Sequence, residues 1–146
     1  MMPTNLNSVE EVFTIYKSAV YEKNVERLLS IYSSHIHIYD CWGEWECRGI
    51  SQWREKVEEW FAGLQEEGVD LQTDFTDVVI EEAPNLAFAH CNLLYAAYNP
   101  SGEKLRHITN RFTFCLRKEK HAWYITHEHS SLPIDMETGK GLFRLK

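Results

Sequence analysis

The chain has 146 residues, enough for one domain and too few for a second core. Its formal charge of −7 and pI of about 5.5 argue against nucleic acid and anionic membrane surfaces, both of which are held mainly by Lys and Arg. No apolar run approaches the roughly 18 residues a membrane-spanning helix needs. The start, MMPTNLNSVEE, lacks the charged and apolar regions of a signal peptide, so the expected compartment is the cytoplasm. Cys41, Cys47, Cys91 and Cys115 would be reduced there; their spacings fit no zinc or CxxC motif, and they read as structural thiols.

Ser8 to Glu11 reads as a capping box, followed by Val9, Val12, Phe13, Tyr16, Ala19 and Val20 at helical spacing. Asn24 can cap a short second helix with Val25, Leu28, Leu29 and Tyr32 on its inner side. His35 to Asp40 alternates as a strand; Gly43 breaks it, and Glu44 to Cys47 is expected to pair back as a short hairpin arm. Ser51 is the expected cap of a third helix striped by Trp53, Val57, Trp60, Phe61 and Leu64, ending at Gly68. Four strands follow, near 70–82, 86–98, 105–118 and 122–131, split by Pro84-Asn85, Asn99 to Gly102 and Lys118 to His121. Such short turns make neighbours antiparallel. Helices first and a curled antiparallel sheet after is an α+β layer architecture in which three helices cover the inner face and can leave a pocket. The remainder, 134–146, is polar and reads as a frayed tail or as an arm for a partner subunit.

Two stretches resemble a known family. One is LSIYSSHIHIYDCWG, Leu29 to Gly43; the other is RFTFCLR, Arg111 to Arg117, followed by WYITHEHSSLP, Trp123 to Pro133. The chain resembles the nuclear-transport-factor-2-like superfamily, in its ketosteroid-isomerase and SnoaL-like branch, over about residues 8–133. The resemblance implies one cone-shaped domain, a curved antiparallel sheet wrapped around three N-terminal helices with a pocket inside, and a homodimer formed through the outer sheet face. It implies a carboxylate base at Asp40 and an oxyanion-donating tyrosine at Tyr16. The isomerases' second, protonated acid falls near Thr113, which carries no carboxyl.

Read from the residues alone, Tyr16 is either a core tyrosine or a hydroxyl turned into the pocket. Asp40 either bonds its own turn or, walled from water by Trp42 and Trp45, becomes a base of raised pKa. Arg111 and Thr113 alternate with Asn110, Phe112, Phe114 and Leu116; if the apolar set is the dimer face, Arg111 points inward, and a buried guanidinium needs a carboxylate or an anionic ligand. His127 and His129 share the parity of Trp123 and Ile125; such a pair chelates zinc or iron only with a third ligand such as His90, Asp40 or Glu44. In the resembling proteins these histidines are not generally metal ligands, so no metal and no cofactor is expected. The expected site therefore takes Asp40 and Tyr16 for acid–base chemistry and Trp42, Trp53, Arg111, Thr113, Trp123, His127 and His129 around a small cyclic or carbonyl-containing ligand, with an isomerase, cyclase or lyase outcome. The alternative is a non-catalytic ligand-binding or oligomerisation module.

Overall fold

The computed structural model describes residues 7–146. Chain order is α1 (Val9–Glu22), α2 (Val25–Leu29), β1 (Tyr32–Tyr39), β2 (Cys47–Arg48), α3 (Ile50–Glu67), β3 (Asp70–Glu82), β4 (Leu86–Tyr98), β5 (Lys104–Glu119) and β6 (Ala122–Ser131). The four long strands fall within about a residue of the positions their turn signals mark, because each is bounded by a turn too short to be anything but a hairpin.

Helix ends follow local chemistry, with two differences from expectation. Ser8 Oγ accepts from the Glu11 amide at 3.2 Å, as a cap does, but the Glu11 carboxylate accepts from the Asn7 amide and not from that of Ser8. Asn24 caps α2 by accepting from the Arg27 amide. Helix α3 starts one residue before Ser51, behind Gly49, whose φ of 83° and ψ of 156° suit a residue without Cβ. No side chain caps it; the Arg48 amide instead donates to Gln52 Oε1.

The six strands form one curved sheet in the order β2-β1-β6-β5-β4-β3. The meander β3 to β6 is antiparallel throughout, and β6 then meets β1 in parallel, so the sheet is mixed and not wholly antiparallel. In place of the expected arm from Glu44 to Cys47, only Cys47 and Arg48 pair with β1, opposite Ile38 and His37. On the inner face Phe13 of α1 stacks on Phe75 at 4.9 Å and leans on Phe114 at 5.2 Å. With Trp53, Val57, Phe61 and Leu64 of α3 these residues belong to one core, whose burial supplies most of the drive to fold.

A β-bulge in β6 positions the site. Ile125 sits opposite Leu116, yet His127 sits opposite Cys115, so Thr126 is an extra residue whose hydroxyl donates to the Cys115 carbonyl. A single inserted residue flips side-chain parity beyond it. Trp123 and Ile125 therefore point inward, and so do Glu128 and Ser130, whereas His127 and His129 share the outer side with Cys115 and Thr113.

The tail lies on its own domain. Ile134 bridges Gly141, the Leu142 amide donates to the Pro133 carbonyl, and the Thr109 amide donates to the Phe143 carbonyl at 3.0 Å. Pairing of β6 with β5 starts at Arg111, and the tail takes up the edge of β5 that β6 leaves open. Among the described residues, no helix is long and apolar enough to cross a membrane.

Candidate functional site

Between α3, α1 and the concave face of the sheet lies a cavity of about 620 Å³. Its wall is largely aromatic, from Trp42, Trp53, Trp60 and Phe112, and its polar groups come from five elements and the turn after β1. That volume suits a small organic molecule.

Asp40 follows the end of β1, where the strand turns away at Cys41. Its Oδ1 accepts from Ser130 Oγ at 3.2 Å and from the Trp42 amide at 3.4 Å, and the Cys41 amide donates to Ser130 Oγ at 3.0 Å. Both expected roles of Asp40 thus coexist: it bonds its own turn and it lines the cavity. Burial raises its pKa, although the bonds from Ser130, Trp42 and Cys41 and the Lys56 ammonium pull the other way.

Glu128 is the main residue that sequence reasoning missed. It lies on β6 between the two histidines, is only 4% exposed and lines the cavity. Its Oε1 accepts from the Tyr32 hydroxyl at 2.7 Å. Burial pushes its pKa to about 8; the Tyr32 bond opposes this and the nearby Asp40 charge adds to it. At neutral pH Glu128 is therefore mostly a neutral acid, able to donate a proton from its second oxygen. The run ITHEHS carries polar residues at both parities, so alternation alone does not tell which side faces in; the stop of apolar alternation at Thr126, two residues before an acid, was the one available hint.

Tyr16 also lines the cavity, and its hydroxyl shares a 2.7 Å hydrogen bond with that of Tyr95 on β4. When one phenol donates to the other, the acceptor's own proton is left for a third group. Burial raises both pKa values; Glu128 adds to the rise at both, Tyr16 adds to it at Tyr95, and the bond to Tyr95 opposes it at Tyr16, so both stay protonated. Trp53 stands on the inner side of α3, edge-on to Tyr32 at 5.7 Å. Trp42 lies at the rim, stacked on Phe143 of the tail at 5.5 Å and 8°. Trp45, expected to shield Asp40, is 91% exposed and is not part of the cavity wall.

Five expected site residues do not reach the cavity. Arg111 and Thr113 are exposed on the outer face, because Asn110, Phe112, Phe114 and Leu116 turn inward to the helices and not outward to a dimer partner. His127 and His129 lie on the same outer side because of the bulge. There the His127 Nδ1 donates to the His37 carbonyl at 2.6 Å, and Tyr39 packs edge-on against both histidines. Trp123 faces inward but is buried in the core near the start of β6, with the Lys118 ammonium 5.7 Å above its ring. Among the described residues no cluster of three or more His, Cys, Asp or Glu is placed to hold a metal ion.

A curved sheet filled by helices, with one acid-and-tyrosine cavity between them, is the NTF2-like, cystatin-like class of fold. The chain belongs to the SnoaL-like domain family, whose family model matches residues 9–135. Among solved structures it is similar to an NTF2-like protein of unknown function from Pseudomonas putida, at 24% identity and a TM-score of 0.81 over 94% of this chain and 93% of that one. It is also similar to an NTF2-like protein with a cystatin-like fold from Novosphingobium aromaticivorans (13% identity, TM-score 0.73, 90% and 83% covered). An uncharacterized protein with a cystatin-like fold from Caulobacter vibrioides aligns at 18% identity and a TM-score of 0.69, covering 86% and 87%. At these identities the likeness is one of fold. A comparison with curated proteins finds no match.

Proposed function

We propose that the protein binds a small cyclic molecule bearing a carbonyl group and moves a proton next to that carbonyl. Asp40 takes the proton from the adjacent carbon. The carbonyl oxygen, gaining charge, accepts from the Glu128 carboxyl and from the free proton of the Tyr16–Tyr95 pair. Return of the proton to a different carbon completes an isomerisation; loss of a β-substituent with the electron pair completes a lyase reaction. The observation that carries the reading is the convergence on one aromatic-walled cavity of two carboxyls whose environments set them apart. Asp40 keeps several donors that favour its charge, while buried Glu128 is held neutral to about pH 8. Acid and base assignments follow from that separation. The second acid is thus supplied from β6, not from the Thr113 position on β5.

The cations expected to grip an anionic ligand are outside. Those that do line the cavity, Lys56 and Arg106, are already paired with Glu44 and Glu67. That pairing favours an uncharged ligand. Four free cysteines accord with a reducing compartment, the cytoplasm. The outer sheet face, with half-exposed Leu86 and Phe88 beside Cys115 and the histidines, is the face on which we place a homodimer.

The test is solvent deuterium incorporation, by NMR, into a panel of cyclic ketones in heavy water. Wild-type protein should accelerate exchange of at least one, and Asp40→Asn should lower that rate about 10²- to 10⁴-fold with its fold retained. The wild-type rate should also fall above about pH 8 as Glu128 ionises, and Glu128→Gln should lack that falling limb. Exchange no faster than buffer, or an unchanged rate in Asp40→Asn, removes the catalytic reading.

A further inference from the structure

Ser130 follows Glu128 by two residues on β6, and the bulge at Thr126 turns both inward. It is buried, opposite Phe112 of β5. Its hydroxyl ties together two residues of the turn after β1: the Cys41 amide donates to Oγ at 3.0 Å, and Oγ donates to Asp40 Oδ1 at 3.2 Å. The direction of this chain of bonds is fixed. An amide N–H only donates, so Oγ accepts there and its single proton is left for the carboxyl. The Trp42 amide also donates to Oδ1, at 3.4 Å, so both bonds fall on the same oxygen.

We propose that Ser130 is a positioning residue for the base: its hydroxyl holds Asp40 by Oδ1 and leaves Oδ2 as the oxygen that takes and returns the proton. The role of Asp40 as base rests on the proton-transfer reading above; the hold of Ser130 on it does not. The carbon–hydrogen bond next to the ligand carbonyl breaks, its electron pair moves onto the carbonyl oxygen, and the proton joins Oδ2. Oδ1 is then the carbonyl oxygen of a neutral acid, which still accepts from Ser130 and Trp42, so the turn keeps its bonds in both protonation states. A proton arriving on Oδ1 would displace at least one of them. The Ser130 bond is stronger to the anion than to the acid, so it opposes the burial that raises the pKa of Asp40. The titratable groups that feel the Asp40 charge are Lys56 on α3, Glu128 on β6, Tyr16 on α1, Tyr32 on β1, Cys41 in the turn and Cys47 on β2. Of these Glu128 titrates nearest neutral pH, so the test removes it.

The first measurement is a carbon-13 NMR titration of the Asp40 carboxyl in the full chain, with Glu128→Gln present throughout so that the two carboxyls do not titrate together. Adding Ser130→Ala should raise the Asp40 midpoint by about one pH unit, and Ser130→Thr, which keeps a hydroxyl, should leave it near its starting value. The second is the deuterium exchange described above, with Glu128 intact. Ser130→Ala should lower the plateau rate about tenfold or more and move the acid limb of the pH–rate profile upward, as the NMR midpoint moves. A serine needed only for folding would lower the folded fraction and shift neither the midpoint nor the limb. An Asp40 midpoint unmoved by Ser130→Ala overturns the inference, and the alanine variant decides alone if the threonine variant fails to fold. Exchange that needs Asp40 but keeps its rate and acid limb in Ser130→Ala also overturns it, and leaves the proton-transfer reading standing. A shifted midpoint with no exchange by the wild type upholds the grip of Ser130 on Asp40 and sinks the proton-transfer reading instead.

Discussion

Glu128 shows how far one residue's behaviour departs from its type. A glutamate on a strand is ordinarily ionised and wet. Here burial raises its pKa from about 4.5 to about 8. The folded state thus binds its proton more tightly than the unfolded chain. Below about pH 4.5 both states are protonated and Glu128 costs nothing. As pH rises towards 8 the unfolded chain ionises while the folded one does not, so the contribution to stability is lost over that window. Replacing Glu128 by Gln keeps an acceptor for Tyr32 and removes the titration. Denaturant melts at pH 5, 7 and 9 should show Glu128→Gln gaining on wild type as pH rises, by roughly a few kcal/mol at most. A constant difference across those pH values would place the carboxyl in water.

At the scale of elements, α3 distinguishes two accounts of a helix start. The motif reading puts the cap at Ser51, whereas the structure begins the helix at Ile50 behind Gly49, with φ of 83° and no side-chain cap. Gly49→Ala should therefore destabilise by about 1–3 kcal/mol, since any Cβ is strained at that backbone geometry. Ser51→Ala, on an exposed side chain, should change stability by under about 0.5 kcal/mol. Thermal unfolding of the two variants compares them directly, and a larger loss from Ser51→Ala would restore the motif reading. The bulge at Thr126 teaches the same lesson for strands. Alternation was legible along β4 and β5, where parity holds, and misleading along β6, where one inserted residue exchanges the histidines for the glutamate. Periodicity counts residues, and a bulge is a change in the count.

Across the whole molecule, the inward turn of Phe112, Phe114 and Leu116 closes one face of the sheet and leaves the other polar, with histidines, arginines and a few apolar side chains. A homodimer on that outer face would pack Phe88, 40% exposed, near the row of Cys115 and His127. Phe88→Asp should then shift sedimentation from two copies to one without changing the circular dichroism of the domain. A wild-type protein that sediments as a monomer at micromolar concentration would leave this face to solvent. The tail belongs to the same scale: a segment polar enough to look frayed is held because the edge of β5 needs a partner where β6 stops.

By itself the sequence determined the order and bounds of the long strands, the three helices and the α+β layering, and it named Tyr16, Asp40, Trp42 and Trp53, which do line the cavity, only as candidates. These follow from signals carried within a few residues: apolar period, turn chemistry and caps. What only the tertiary structure decided is which face of β5 and β6 is inside, that Glu128 is buried and mostly neutral at pH 7, that Tyr95 completes the hydroxyl pair, and that Ser130 on β6 reaches Asp40. The physical reason is that parity after a bulge, desolvation and hydrogen-bond satisfaction depend on what packs against a residue from elsewhere in the chain, and no local window contains its neighbours.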